Sequence, residues 1–329
     1  MKICIYGLGA IGGLFAARLT GSGVSVSAVA RGATLDCVNR DGLTLIDHVG
    51  GSERHRQFAV KATSDPASLG EQDLVILTVK TTALQSVARN IAPLLGANTT
   101  VLSAMNGIPW WFFFGLKHDN AATQLQSVDP AGELSAAIAP GRIVGCVTHL
   151  AATTPAPGVV NAMAGNRLII GEPTGGAGSA RCAAIIALFR QAGFEVEQAS
   201  SIQRDIWFKL WGNMTVNPIS AITGATIDRI LDDACVRDFM TRCMVEAARI
   251  GERIGVPIDI DPVSRHEVTR KLGAFKTSML QDVEAGKPVE LDALVAAVLE
   301  IGQRAEEPSP NIEALFGLAR LHAKMRNLY

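Results

Sequence analysis

The sequence predicts an α/β protein with a mainly parallel sheet in its first part and only helices in its last part. Apolar runs typical of buried strands alternate with helical patterns in the first half of the 329 residues, an order that builds a parallel sheet. From about Ile202 almost to the C-terminus, apolar residues recur with the helical period and β-type runs disappear. We therefore predict two domains, residues 1–200 and residues 201–329.

The first strand leads directly into a glycine-rich turn and a helix. Residues 1–6 are a β-type run, and the turn that follows has glycine at its first, third and sixth positions. In the Rossmann-type fingerprint the first glycine permits the tight turn, the second lets the backbone approach a pyrophosphate, and the third lets the helix pack on the strand. We predict that a dinucleotide binds to Gly7, Leu8, Gly9, Ala10, Ile11 and Gly12. A turn with glycines for steric reasons alone is the alternative.

The residue after the second strand indicates which dinucleotide binds. That strand, residues 24–30, is followed by Arg31, where NAD-dependent proteins place an acid that accepts hydrogen bonds from the ribose 2′-hydroxyl. A guanidinium pairs with a 2′-phosphate instead. We therefore predict NADP(H) as the cofactor. Asp36 is a rival ribose acid, and a solvated arginine at the start of a loop is the alternative for Arg31.

Further apolar and β-type runs predict the remaining strands of the sheet. Residues 73–79 and 100–105 are apolar runs typical of buried strands, and residues 82–94 between them have a helical pattern. Further β-type runs lie at residues 142–150, 158–162, 167–171 and 194–199. Because turn residues separate these runs, we predict an antiparallel extension of the sheet.

The second domain is predicted to consist of helices separated by proline and glycine. The helix-period segments are residues 202–221, 226–254, 262–284 and 290–302. The expected breaks are Pro218, Gly224, Pro257, Gly286 with Pro288, and residues 308–310. Without a low-complexity linker, we expect the domains to pack closely, with a substrate in the cleft beyond the carboxyl ends of the strands.

Composition excludes several classes of partner. The net charge is −1 and the basic residues are scattered among acids, which argues against nucleic acid binding. No apolar run approaches the length of a membrane span. Since the N-terminus is already a core strand, a cleaved signal would remove part of the fold, and we expect a cytoplasmic protein. The six cysteines are widely spaced without zinc-site spacing, which favours buried reduced thiols and no metal.

One helix of the second domain carries a polar stripe. Lys209, Asn213 and Asn217 are spaced by four residues and therefore share one face. The same helix is otherwise rich in apolar residues, from Trp207 to Val216, so the stripe is expected to face an internal cavity. We predict a ligand site there. A solvated polar stripe is the alternative.

Five segments together resemble the ketopantoate reductase family. They are the glycine turn, Lys80 after the third strand, Asn106-Gly107 after the fourth, Trp207-x-Lys209-x-x-x-Asn213-x-x-x-Asn217, and a C-terminal pair of signatures. That pair consists of residues 277–282, Thr-Ser-Met-Leu-Gln-Asp, and residues 286–292, Gly-Lys-Pro-Val-Glu-Leu-Asp. The segments occur in the family's order over residues 1 to about 300.

The resemblance implies a reaction and a role for each matched residue. It implies NADPH-dependent reduction of the ketone of 2-dehydropantoate to (R)-pantoate, a step toward pantothenate and coenzyme A. Lys209 would be the general acid, and burial against tryptophans is expected to weaken its hold on the proton. Glu290 would contact the substrate and cofactor and position the lysine. Asn213, Asn217 and Ser278 would hold the substrate's hydroxyl and carboxylate. Asn106 would lie near nicotinamide and substrate, and Lys80 would contact the cofactor.

Each of these residues also has a purely structural alternative. Glu290 could cap a helix, and Ser278 could fill space on a packed helix. Asn106 with Gly107 is a common turn pair, and Lys80 could be solvated.

The chain departs from the family pattern in places. Phe275 stands where family members often carry an asparagine, and Val289 replaces a usual threonine. The aromatic run Trp110-Trp111-Phe112-Phe113-Phe114 follows Asn106-Gly107 closely. This run could form a hydrophobic plug between the domains or a homodimer contact. Alternatively, it could reshape the substrate pocket for a larger or more apolar 2-keto acid.

The rival functions are a paralogous NADPH-dependent reductase of another 2-keto acid and a non-catalytic NADP(H)-sensing protein. A β-hydroxyacid dehydrogenase is less favoured because of the Ser278 and Glu290 segments.

Overall fold

A computed structural model of the chain describes residues 1–49, 51–116, 124–176 and 179–329. The chain divides into two compact units. The first comprises Met1–Met105 and Glu133–Ile202, and the second comprises Asn106–Gly132 and Gln203–Tyr329. The sequence led us to expect a single boundary between residues 200 and 201, whereas residues 106–132 belong here to the second unit.

The first unit is built on one mixed sheet. Its strands are β1 Ile3–Tyr6, β2 Val26–Val29, β3 Leu43–Val49, β4 Ser52–Phe58, β5 Lys61–Thr63, β6 Gln72–Leu77, β7 Leu95–Ser103, β8 Ile143–Ala156, β9 Val159–Gly171 and β10 Glu195–Gln198. They lie in the order β4-β3-β9-β8-β7-β6-β1-β2-β5, and β10 pairs with β9. The strands from β8 through β7, β6, β1 and β2 to β5 are parallel neighbours, and β8 and β9 form a long antiparallel pair.

The predicted α/β class with an antiparallel extension is confirmed, with differences in detail. Residues 158–162 and 167–171, expected as two strands, form the single strand β9. The sequence did not predict β3, β4 or β5. β4 is a mostly exposed strand, Ser-Glu-Arg-His-Arg-Gln-Phe, and an exposed polar strand carries no apolar alternation that would reveal it.

The helices of the first unit flank this sheet. They are α1 Ala10–Gly21, α2 Gly32–Asp41, α3 Leu84–Asn90, α4 Glu133–Ala137 and α5 Ala180–Gln191. The Phe15 ring of α1 packs edge-on against Phe189 and Phe194, with ring centroids 4.9 and 5.4 Å apart. This packing holds α1 against the core, and its N-terminus directly follows β1. The helix predicted over residues 82–94 is shorter, since only α3 is α-helical and the following residues Ala92–Leu94, which include Pro93, form a separate 3-10 turn.

The second unit is helical, as predicted. Its helices are α6 Ile202–Thr223, α7 Ile227–Asp232, α8 Ala234–Arg253, α9 Pro262–Arg270, α10 Ser278–Glu284, a π-helical turn Asp292–Ala296, α11 Ala297–Arg304 and α12 Pro310–Lys324. None of the helices in the described ranges is long and apolar enough to cross a membrane.

Three predicted helix boundaries in the second unit are wrong. Pro218 does not end α6, which continues to Thr223 before Gly224 adopts a φ of +72°. The segment 226–254 is two helices, because the Asp233 side chain accepts a hydrogen bond from the Val236 N–H and starts α8 anew. The segment 262–284 is also two helices, α9 and α10.

The oxidation state of the cysteines agrees with the prediction of reduced thiols, whereas their burial agrees only in part. None of the six forms a disulfide, and Cys4, Cys146, Cys182 and Cys243 are buried. Cys37 is half-buried and Cys235 is exposed, so the expectation that all six would be buried is wrong.

Candidate functional site

The glycine turn after β1 has the geometry that its sequence predicts. Gly7 has a φ of +105°, a conformation that strains any other residue, and its N–H donates to the Val29 carbonyl at 2.9 Å. A Cβ added to Gly12 would overlap the Gly7 carbonyl oxygen and Thr78 Oγ1. A Cβ added to Gly9 would meet nothing within 4 Å. Gly7 and Gly12 are thus needed for packing, whereas Gly9 borders open space.

The start of α1 offers hydrogen-bond donors to an anion. Gly9 is the N-cap residue and supplies no side-chain cap, and the first turn, from Ala10 through Ile11 to Gly12, contains no acidic residue. The first N–H groups of a helix have no intrahelical acceptor, and the helix dipole favours negative charge beside them. Together with the open space at Gly9, this arrangement fits a dinucleotide pyrophosphate. Leu8 is buried beneath the turn.

Three predicted cofactor residues lie just beyond the carboxyl ends of three adjacent strands. Tyr6, the last residue of β1, pairs with Val29 of β2 and Leu77 of β6, so the three parallel strands end at the same level. Gly7, Arg31 and Lys80 follow these strand ends. The half-buried Lys80 immediately precedes a 3-10 turn. The sheet therefore brings together the glycine turn, the arginine and the lysine that the sequence placed on separate segments.

Arg31 has the exposure that a phosphate contact needs. It is the N-cap residue of α2, and its side chain has no ion-pair partner within the described ranges. Burial raises the pKa of Tyr6, and the positive charge of Arg31 acts in the opposite direction. The rival acid Asp36 is also exposed, one turn further along α2.

In the second unit, the predicted acid Lys209 contacts the predicted polar residue Asn106. Lys209 Nζ donates a hydrogen bond of 2.7 Å to Asn106 Oδ1, although the two residues are 103 positions apart. Both side chains are half-buried. Because an ammonium group has three N–H donors, this bond orients the group and leaves two donors for other partners.

The aromatic run anchors the segment that carries Asn106. Trp110, Trp111 and Phe112 are at most 2% exposed. The Phe112 ring lies 6.0 Å from the Trp207 ring of α6, and Gln203 Nε2 donates to the Phe114 carbonyl at 2.9 Å. The run therefore packs on the helix that bears Lys209 and forms part of the core of the second unit.

Gly107 allows the same segment to approach the π-helical turn. Its φ is +81°, and an added Cβ would lie 2.7 Å from the Ala293 carbonyl oxygen. That oxygen accepts a hydrogen bond of 2.8 Å from the Ile108 N–H. Glu290 lies in the adjoining turn, where its carbonyl accepts from the Leu294 N–H at 3.3 Å. Residues 106–108 therefore contact both α6 and the segment that follows Glu290.

The last two residues of the chain, Leu328 and Tyr329, form hydrogen bonds with residues on both sides of Glu290 in the sequence. The Val289 N–H donates to the Leu328 carbonyl at 3.0 Å, and the Tyr329 hydroxyl donates to Asp292 Oδ1 at 2.6 Å. Burial, together with the hydrogen bond to Asp292 and its negative charge, raises the pKa of Tyr329 to about 12. No local sequence pattern predicts this contact of Tyr329, because it joins residues 37 positions apart.

The two amides of the stripe lie deeper along α6. Asn213 is half-buried and Asn217 is 5% exposed, and neither side chain forms a hydrogen bond with another residue of the described ranges. Buried amides normally have partners, so these two are suited to bind a ligand or water.

Arg265 of α9 lies beside this stripe and was missed by the sequence reasoning. Its Nη2 atom is 2.9 Å from the position that a Cβ on Gly212 would take, and its guanidinium lies 5.4 Å from the Phe208 ring centroid. Burial lowers the pKa of Arg265. The guanidinium has no carboxylate partner within the described ranges.

Ser278 is not joined to this arrangement by a hydrogen bond. It is exposed at the first position of α10 and forms no hydrogen bond with another described residue. Its neighbour Thr277 is buried and caps α10, accepting a hydrogen bond of 3.2 Å from the Leu280 N–H. Phe275, at the unusual position, is half-buried and accepts a backbone hydrogen bond from Ile227.

Two protein-family models match the chain. The model described as ketopantoate reductase PanE/ApbA matches residues 3–175, and its C-terminal counterpart matches residues 201–323. The chain is 41% identical, over 330 residues and the whole of both chains, to 2-dehydropantoate 2-reductase of Mesorhizobium japonicum.

Solved structures agree with this match. A ketopantoate reductase family protein from Ralstonia solanacearum is 52% identical, with a TM-score of 0.94 over 100% of this chain and 99% of that chain. D-mandelate dehydrogenase, solved with NADH and anilino(oxo)acetate, shares the fold, with 19% identity and a TM-score of 0.83 over the whole of both chains.

Proposed function

We propose that this chain, which belongs to the ketopantoate reductase family of dinucleotide-dependent oxidoreductases, uses NADPH to reduce the ketone of 2-dehydropantoate to the alcohol of (R)-pantoate. The observation that carries the proposal is the 2.7 Å hydrogen bond between Lys209 Nζ and Asn106 Oδ1. It joins the candidate acid to a second matched residue within the helical unit. The name of the Mesorhizobium japonicum relative supports the choice of substrate.

Lys209 supplies both charge and a proton. The reduced nicotinamide, when bound, provides the hydride that reaches the ketone carbon. Negative charge then develops on the ketone oxygen, where an ammonium group stabilises it and donates the proton. Asn106 accepts one of the three N–H groups of Lys209 and so directs the remaining donors. Partial burial of Lys209 strengthens this electrostatic interaction relative to water.

The neighbouring polar residues bind and orient the substrate in this proposal. Asn213 and Asn217 present amides that lack side-chain partners within the described ranges, so they are suited to the hydroxyl and carboxylate of the keto acid. Glu290 contacts the substrate and positions Lys209, with its segment held by the C-terminus. Ser278 contributes its exposed hydroxyl, although no hydrogen bond links it to the Lys209–Asn106 pair in the described ranges.

NADP(H) is the proposed cofactor because of the groups at the strand ends. The uncapped start of α1 and the open space at Gly9 suit a pyrophosphate, and the exposed Arg31 suits a 2′-phosphate. Lys80 adds a second cation at the same edge of the sheet.

A steady-state assay tests the reaction. Purified protein is mixed with NADPH and 2-dehydropantoate, and the loss of nicotinamide absorbance and the configuration of the product are measured. We expect turnover with (R)-pantoate as the product. Normal NADPH binding without turnover of 2-dehydropantoate would reject the substrate and favour an NADP(H)-sensing protein.

A reductase of a bulkier 2-keto acid is the second candidate. The observation that favours it is the aromatic run, whose Phe112 packs on Trp207 only two residues before Lys209. A panel of aliphatic and aromatic 2-keto acids, compared by kcat/KM, separates the two candidates. A markedly higher value for an aromatic acid than for 2-dehydropantoate supports the second.

A further inference from the structure

Arg265 of α9 is a cation without a counter-charge. Its Nε atom is buried and has no hydrogen-bond partner. Its Nη1 atom donates a long hydrogen bond of 3.4 Å to Thr269 Oγ1, which is a neutral group, although a guanidinium has five N–H donors. No carboxylate in the described parts of the chain pairs with it. Most of its hydrogen-bonding capacity is therefore unused.

Neighbouring arginines show the ordinary arrangement. Arg270, on the same helix, lies 2.5 Å from an oxygen of Asp232, and Arg204 of α6 lies 2.7 Å from an oxygen of Asp259. Burying a charge is costly unless an anion balances it. Arg265, whose Nε is buried, therefore needs an anion more than these two arginines do, and the described residues supply none.

Gly212 of α6 makes room for this guanidinium. A Cβ added to Gly212 would lie 2.9 Å from Arg265 Nη2 and 3.2 Å from Arg265 Cζ. The guanidinium also lies 5.4 Å from the ring centroid of Phe208, which is one helical turn earlier on α6. The missing side chain at position 212 and the Phe208 ring together define where Arg265 packs on α6.

The same face of α6 carries the candidate acid. Gly212 follows Lys209 by three residues, a spacing that places their Cβ positions about 5–6 Å apart on the helix surface. Lys209 and Asn213 are half-buried and Phe208 is 37% exposed, so this face is accessible to a ligand. In a 2-keto acid the carboxylate is bonded directly to the ketone carbon. The group that binds the carboxylate must therefore lie close to the group that protonates the ketone oxygen.

We propose that Arg265 binds the carboxylate of the 2-keto acid and makes the site selective for an anionic substrate. A guanidinium can donate two parallel N–H bonds to the two carboxylate oxygens. The amides of Asn213 and Asn217 are neutral, so they can hydrogen-bond the substrate but cannot balance its charge. This inference rests on the proposed reductase function, and a binding measurement tests it separately.

The first test compares an anionic with a neutral substrate. The wild type and Arg265→Met are assayed with NADPH and either 2-dehydropantoate or its primary amide, which has the same ketone and hydroxyl groups but no charge. We expect Arg265→Met to lower kcat/KM for the acid about tenfold or more, mainly through KM, and to change the value for the amide little. Arg265→Lys keeps the charge but loses the planar two-point contact, and should lie between the two.

Gly212→Ala and Arg204→Met are the matched variants. Gly212→Ala keeps the charge but displaces the guanidinium, because the added Cβ meets the flexible end of Arg265. It should raise KM for the acid without lowering the Tm, since alanine favours a helix more than glycine does. Arg204→Met removes an equal charge from an arginine that is already paired with Asp259, and both substrates should react as with the wild type.

Calorimetry separates this proposal from the proposed function. Each protein, saturated with NADP⁺, is titrated with 2-dehydropantoate. Because the oxidised cofactor carries no hydride, binding is measured even if the protein does not reduce this acid. We expect the wild type to bind the acid about tenfold or more tightly than Arg265→Met does. Thermal melting establishes that each variant is folded, and Gly212→Ala serves the same comparison if Arg265→Met is not.

The outcomes are distinct for the two proposals. Absence of turnover by the wild type, with binding that depends on Arg265, refutes the proposed reaction and supports the role of Arg265. Absence of binding to the wild type, or equal affinities of the wild type and Arg265→Met, overturns the role of Arg265. An equal loss of kcat/KM for acid and amide, or an effect of Arg204→Met as large as that of Arg265→Met, also overturns it.

Discussion

The two units build their candidate sites in different ways. In the first unit the site consists mainly of backbone: the positive φ of Gly7, the close approach of Gly12 to the Gly7 carbonyl, and the uncapped start of α1. In the second unit it consists of side chains, with Lys209 and Asn106 brought together from segments 103 residues apart. We therefore expect that an added Cβ disrupts the first site, whereas the loss of side-chain atoms disrupts the second.

The largest effect is expected from removing the acid of the second site. Lys209→Ala eliminates the ammonium group proposed to stabilise charge and donate the proton, and kcat is expected to fall about 10²–10⁴-fold. NADPH affinity, measured by quenching of protein fluorescence, is expected to change little. Unchanged turnover in this variant would contradict the assigned role.

Adding a single methyl group should damage the first site. Gly12→Ala places a Cβ against the Gly7 carbonyl, so we expect loss of NADPH binding and a destabilisation of about 1–3 kcal/mol. Gly9→Ala is the matched control, because its Cβ meets only open space. It should weaken NADPH binding without lowering the Tm. Equal Tm losses in the two variants would show that the glycines do not differ as described.

In the first unit, Arg31 and Lys80 are the proposed cofactor residues that would act through their side chains. Arg31→Ala removes the proposed hydrogen-bond donor to the charged 2′-phosphate. Such a bond is worth about 1.5–3 kcal/mol, so the variant should weaken NADPH binding about tenfold or more. NADH, which lacks the phosphate, should be affected much less. Calorimetric titration with both cofactors measures the ratio. Equal weakening would show that Arg31 is not the phosphate contact.

A smaller effect, on the free energy of unfolding, is expected from Tyr329, which holds the segment next to Glu290. Tyr329→Phe removes the hydrogen bond to Asp292 and should cost about 0.5–1.5 kcal/mol of unfolding free energy. Because the folded protein raises the pKa of Tyr329, this contribution is complete below the ordinary tyrosine pKa of about 10. It is lost as the pH rises through about 12.

Denaturant unfolding from neutral pH to pH 12 measures this pH dependence. The difference in stability between the wild type and Tyr329→Phe should shrink as the pH rises above 10. A constant difference would indicate that the hydroxyl proton plays no part.

The site of the first unit could be predicted because its determinants are local. A strand, a turn and a helix follow one another within residues 1–19, and the apolar runs of β6 and β7 identify the neighbouring strands. β4 could not be predicted, since it is polar and exposed. α6 continues through Pro218, where neighbouring packing outweighs the lost backbone donor.

The site of the second unit could be predicted only in part. The spacing of Lys209, Asn213 and Asn217 reveals one helix face, but no local pattern joins Asn106 to that helix. Arg265 and Tyr329 were missed because their contacts depend on tertiary packing. The aromatic run was assigned to the first domain by chain order, whereas its Phe112 packs on Trp207 of α6.

A single-turnover experiment tests most directly whether Lys209 acts in the reduction of 2-dehydropantoate. The protein saturated with NADPH is mixed rapidly with 2-dehydropantoate, and loss of nicotinamide absorbance is followed for the wild type and for Lys209→Ala. We expect the wild type to oxidise one NADPH per keto acid reduced. The variant should bind NADPH normally but oxidise it at least about 10²-fold more slowly. Bound NADPH that is not oxidised by the wild type, or equal rates in the two proteins, would contradict this expectation.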